Sequence, residues 1–175
     1  LAVAATALSV LSITDTTVVA AVEPVPPFIG ADADWLTTAN YYRAMASVGT
    51  TTGALTPLNQ PGYDDNSLNQ GAYNHSCYML YNGIAHDELS SKPGYTASGD
   101  IAGNNGNVAV STSYGTTARS HIELWMTGPF HAIGILRHNL STVGFGKCDN
   151  NATSPWRSGA TLDVIRGLGS SPRPS

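Results

Sequence analysis

Basic side chains are scarce in this chain. Its 175 residues hold 8 Lys and Arg with no run of them, charged residues make up only 11% of the total, and the formal net charge is -4. Such a surface cannot neutralise a phosphate backbone or an anionic bilayer, which argues against nucleic acid and membrane surfaces as partners. No apolar stretch is long enough to span a bilayer. The sequence has no HExxH or CxxC ligand spacing, no G-x-S-x-G elbow, no phosphate-binding loop and no dinucleotide fingerprint. The glycines and asparagines of Gly103-Asn104-Asn105-Gly106 read as a turn signal instead. Internal repeats and heptads are also absent.

What is present suits one domain. Apolar residues account for 42% of the chain, enough for a single core at this length, and polarity comes mainly from Ser, Thr, Asn and Gly. Residues 1–13 are apolar and uncharged, and they lead through Thr-Asp-Thr-Thr to Val18-Val19-Ala20-Ala21-Val22. This resembles the apolar region and small-residue cleavage site of an export signal, so residues 1–20 read as part of a signal peptide cut after Ala20. The alternative is an apolar first strand or helix of the fold. Export would put Cys77 and Cys148 in an oxidising compartment, where two cysteines most simply form one disulfide; two buried thiols are the alternative. Residues 21–31 contain Glu23-Pro24-Val25-Pro26-Pro27 and read as a stiff linker, with a folded domain over 32–168 and a disordered tail over 169–175.

Within the domain, Asp34 is placed to cap a first helix running toward Gly49, with Leu36, Ala39, Tyr42, Met45 and Ala46 along one face. Ser67 is placed to cap a second helix ending before Gly83, with Leu68, Ala72, Ser76, Met79 and Leu80 as its stripe. Residues 90–106, rich in Gly, Asn and Asp, read as a long irregular excursion over the surface. A strand over 107–112 and a third helix over 116–127 follow, the helix stopped by Gly128-Pro129, with Trp125 and Phe130 read as core aromatics. Residues 143–146 and 162–166 read as further strands.

The most specific stretch is LWMTGPFHAIGILRHNLSTVGFG, residues 124–146. Its Trp, small residue, Pro and His, followed by Ile-Leu and a Gly-x-Gly strand, resemble the bacterial secreted branch of the CAP superfamily (cysteine-rich secretory, antigen 5 and pathogenesis-related-1 proteins). NYYRAMASVGTTTGALTPL resembles that superfamily's opening helix, and LNQGAYNHSCYMLYNGIAHDE its second helix running into the first cleft histidine. The resemblance covers residues 34–150. It implies an α+β fold, a three-layer α-β-α sandwich with an antiparallel central sheet, and a cleft holding His86 and His131. In this superfamily two acidic residues join the two histidines and can hold a divalent metal. Here AGNNGNVAVS puts Gly106 where one acid is expected, and Gly128 stands where eukaryotic members carry the other. Glu88 and Glu123 are the nearest carboxylates that could complete a metal set with His86 and His131.

Taken without the resemblance, the five histidines show no local zinc spacing. His75 reads as a packing or surface position, and His121 and His138 carry no assigned role. The reading that results is a secreted, monomeric, non-catalytic protein. Its cleft would bind a small ligand, an extracellular protein, or weakly a divalent cation such as zinc, magnesium or calcium. Two alternatives stand beside it: a metal-assisted hydrolase, for which the missing acid removes the obvious general base, and a lipid or sterol carrier. The leader reading predicts that the secreted protein begins at Ala21; intact-mass spectrometry finding residues 1–20 retained would refute it.

Overall fold

The computed structural model describes residues 34–48, 55, 57–59, 67–150 and 155–170. The leader and linker expectations over residues 1–31 lie outside the described residues, as do residues 171–175 of the tail. Among the described residues the elements run α1 (Trp35–Ser47), α2 (Leu68–Asn82), α3 (Ala97–Asn104), β1 (Gly106–Ser111), α4 (Ala118–Thr127), α5 (Pro129–Ile135), β2 (Gly144–Asp149) and β3 (Ser158–Asp163). Four helices start on a side-chain oxygen that accepts the N–H three residues on: Asp34, Ser67, Thr96 and Thr117. Each cap satisfies one of the donors that a helix start leaves without a partner.

The strands form one antiparallel sheet in the order β1-β3-β2. Because side chains alternate along a strand, the sheet has two faces, and each is covered by helices. On one face Trp35 and Ala39 of α1, Ile122 and Trp125 of α4 and Ile135 of α5 join Ala109, Phe145, Ala160 and Leu162 in the main core. The Trp35 ring stacks on Phe145 with centroids 4.9 Å apart. On the other face Tyr78 and Met79 of α2 pack against Val108. The architecture is therefore the expected α+β sandwich of helices, antiparallel sheet and helices.

The second face is unusual in how closely helix and sheet approach. A Cβ added to Gly144 would lie 2.3 Å from Leu68, and one added to Gly146 would lie 2.0 Å from the Tyr73 backbone nitrogen. Only glycine lets α2 rest its backbone on β2. Two residues farther along β2, Cys148 is joined to Cys77 by a disulfide. The dimensions explain the match. From Leu68 to Cys77 a helix rises about 13.5 Å. From Gly144 to Cys148 an antiparallel strand covers about 13.6 Å. Ser76 adds a bond from Oγ to the Gly146 carbonyl at 2.8 Å, and Asn69 Oδ1 accepts the Phe145 N–H at 2.9 Å.

Several sequence expectations are corrected. Residues 97–104, read as irregular, are helical: α3 lies so close to α2 that a Cβ on Gly71 would meet the Ser98 carbonyl at 2.7 Å. Its glycines disguise a helix that tertiary packing sustains. Pro129, read as a helix stop, is also the first residue of α5, where a missing N–H costs nothing. The last strand covers 158–163 and not 162–166; it is the central strand, buried at every position, so its small residues show no alternation. Phe130 is 86% exposed and belongs to no core. In α1 the buried face runs through Trp35, Ala39 and Arg43, while Met45 turns outward. Arg43 is fully buried and donates to the carbonyls of Ile135, Arg137 and Leu140, which ties the end of α5 to α1.

His121 of α4 is buried, with Nε2 3.3 Å from Ser158 Oγ. Burial, reinforced by nearby Lys147 and opposed by Asp149, lowers its pKa from 6.5 to about 4. The unfolded chain protonates this ring as pH falls below the upper value, and the folded protein does so only near the lower one. Stability is therefore full above pH 6.5 and declines as pH drops toward 4, by roughly 3 kcal/mol at most. Urea denaturation should show that decline blunted in His121→Gln; an unchanged acid slope would refute the assignment. In the same assay Gly146→Ala should cost ~3 kcal/mol or more by overpacking. Gly115→Ala, at a positive φ of 69° with nothing within 4 Å, should cost only ~1 kcal/mol. Equal costs would mean that the α2–β2 approach is not the constraint it is taken to be.

Candidate functional site

The segment after α2 is held along most of its length. Gly83, at a positive φ of 89°, turns the chain out of the helix. Beyond it, His75 Nε2 is 2.9 Å from the Ala85 carbonyl and its Nδ1 is 3.0 Å from Glu88 Oε1. Both ring nitrogens face oxygen acceptors, so the buried His75–Glu88 pair must carry two protons between its members. The other Glu88 oxygen accepts the Thr96 N–H at 2.8 Å, the Glu88 N–H donates to Asp100 Oδ1 at 2.8 Å, and the Leu89 N–H donates to the Tyr78 hydroxyl at 3.0 Å. The backbone of His86 is thereby positioned from both sides. Its own Nδ1 lies 2.8 Å from the Gly103 carbonyl, which can only accept, so Nδ1 carries the proton and donates. In the neutral ring the lone pair then sits on Nε2.

His131 comes from the opposite wall. It is the third residue of α5, and the bare backbone of Gly128 makes room for it: a Cβ there would lie 2.9 Å from His131 Nδ1. Asn107 of β1 donates from Nδ2 to the His131 carbonyl at 3.0 Å, tying that turn to the sheet. Asn107 thus acts as a brace.

Between these walls lies a cavity of about 470 Å³, lined by residues of 84–86, by 108–110 of β1, by the C-terminal end of α4 and by His131. Its surfaces are mostly apolar, supplied by Ile84, Val108, Val110, Leu124 and Trp125. The Trp125 indole N–H donates to the Val108 carbonyl at 3.2 Å, which fixes the floor. His86 and His131, expected as a pair, both line this space.

The two carboxylates do not join them. Glu88 is buried with both oxygens engaged as described, and Glu123 pairs with Arg119 at 2.7 Å on α4; neither lines the cavity. Gly106 offers no ligand, and a Cβ there would already press on the Ala102 carbonyl at 2.8 Å. Among the described residues no group of three or more His, Cys, Asp or Glu side chains could hold a metal ion. Two imidazoles fall short of the three or four protein ligands of a tight zinc site, so the donor set does not fit a firmly held divalent ion. His121 and His138 line no part of the cavity. No local pattern marks the His75–Glu88 pair, because thirteen residues separate its members. The apolar walls carried a faint local signal in the alternation of Asn107 to Ser111.

No curated protein matches the chain. A family model described as the cysteine-rich secretory protein family, CAP, matches residues 36–156, more than half of the sequence and the whole of the cleft. The order of the helices, the antiparallel sheet between them and the match over this span agree, and the chain belongs to the CAP family.

Proposed function

We propose that this CAP-domain protein is an extracellular binding protein whose ligand sits in the cavity between His86 and His131. The observation that carries the reading is the cavity itself: apolar walls of ligand-pocket size with one histidine from each side. The His86 ring, steered by the Gly103 carbonyl, presents Nε2 as an acceptor for a ligand N–H or O–H. Apolar walls would supply affinity and the histidines orientation. Export is supported by the family and by the Cys77–Cys148 disulfide, a bond that persists in oxidising compartments.

Binding is favoured over metal-assisted hydrolysis by the engagement of Glu88 and Glu123 elsewhere. A divalent cation would have two imidazoles and water as its ligands, and a general base would be wanting. The test uses the purified, disulfide-intact protein and the fluorescent apolar anion 1-anilinonaphthalene-8-sulfonate. The probe should bind, and Leu124→Glu, which puts a charge on the exposed rim of the cavity, should weaken binding about tenfold. Zinc titration of chelator-stripped protein should show no tight site. Chelator-sensitive hydrolysis of an ester or peptide that is lost in His86→Ala would replace this reading with the enzymatic one.

A further inference from the structure

We infer that the ligand class of this cavity is the extended peptide, bound as an added strand along the outer edge of β1. The inference rests on the reading of the cavity as a binding site and goes beyond it in naming what binds. β1 is an edge strand, paired with β3 alone. In an antiparallel ladder, residues alternate between pairs that exchange hydrogen bonds with the neighbour and pairs whose N–H and C=O point away. The bond from the Val164 N–H to the Asn105 carbonyl, in the same register as the ladder, sets the phase. Asn107, Ala109 and Ser111 then turn their backbone groups toward β3, and Val108 and Val110 turn theirs outward. An independent contact agrees: the Trp125 indole reaches the Val108 carbonyl from outside the ladder.

Val108 and Val110 both line the cavity. With the Val108 carbonyl taken by Trp125, the Val108 N–H and both the N–H and the C=O of Val110 have no partner among the described residues. These groups are two donors and an acceptor spread over about 7 Å of strand, which is the spacing of a peptide backbone. A wholly apolar ligand would strip water from them and leave them unsatisfied, a poor exchange inside an apolar cavity. An extended peptide satisfies them, as strand addition does at other open sheet edges.

The walls select a single strand. Gly106–Ser111 carries none of the lysine, proline or inward charge that commonly guards an edge. Protection comes from the segment that follows α2 on one face and from the end of α4 on the other, which would obstruct a second copy of the sheet yet leave a channel between them. A peptide side chain opposite Val110 would point toward the Ile84–His86 wall and its neighbours toward Leu124 and His131. Alternate positions would then be read by different histidines.

The experiment uses the intact, isotope-labelled protein and a positional-scanning library of N-acetylated pentapeptide amides. Members that bind should displace 1-anilinonaphthalene-8-sulfonate, move the Val108 and Val110 amide protons downfield and slow their exchange about tenfold. Methylating the paired backbone nitrogen of such a peptide should weaken it about tenfold. Val110→Pro should do the same, because the nitrogen it alters faces away from β3 and proline is tolerated there. Should that variant fail to fold, the methylated peptides read the same bonds from the ligand side. If no library member binds while the dye does, or if methylated peptides bind as well as their parents, the peptide assignment falls and the apolar pocket stands. If neither dye nor peptide binds, both readings fall.

Discussion

The contact on which the rest of the molecule depends is the seating of α2 directly on β2. Glycine at 144 and 146 brings two backbones to a distance that no side chain permits, and the equal lengths of nine helical and four extended residues keep them in step. The Cys77–Cys148 bond and the Ser76 hydroxyl secure one end of that alignment. Once α2 is placed, its continuation has little freedom. His75 and Tyr78, on the helix, hold Ala85, Glu88 and Leu89, and so determine where His86 stands. The position of one cavity wall is thus a consequence of how closely a helix packs against a sheet about ten residues upstream.

The other wall is fastened to the same sheet by polar means. Asn107 of β1 donates to the carbonyl of His131 and Trp125 of α4 donates to that of Val108, so both contacts involve β1. The cavity is bounded by two separately built supports that share a strand. This explains why its polar groups are few and well positioned, and why the carboxylates nearby in sequence are absent from it. Glu88 is spent on holding the first wall: its buried carboxylate is engaged by His75 and by the Thr96 N–H, and it lines no part of the cavity. The proposed binding role rests on this arrangement, two histidines on opposite walls of an apolar hollow.

Much of this was legible in the sequence. Asp34 and Ser67 were readable as caps because capping is a local event between a side chain and an N–H three residues on. The CAP-like motif around His131 was readable because its parts lie in one stretch of chain. The differences between local pattern and fold share a cause. α3 and the last strand carry weak local signals because their small residues suit close packing against α2 and not helix or strand propensity. The size of Phe130 alone suggests a core residue, but its place at the start of α5 leaves it exposed.

Readable from the sequence alone were the family resemblance, the caps Asp34 and Ser67, the cysteine pair available for bridging and the two histidines His86 and His131. Those depend on residue identity and short spacings. Only the tertiary structure shows that His86 and His131 line one cavity, that Glu88 pairs with His75, and that Val108 and Val110 of β1 line the same space. Each of these turns on contacts between residues well separated in the chain, which leave no mark on any local stretch of it.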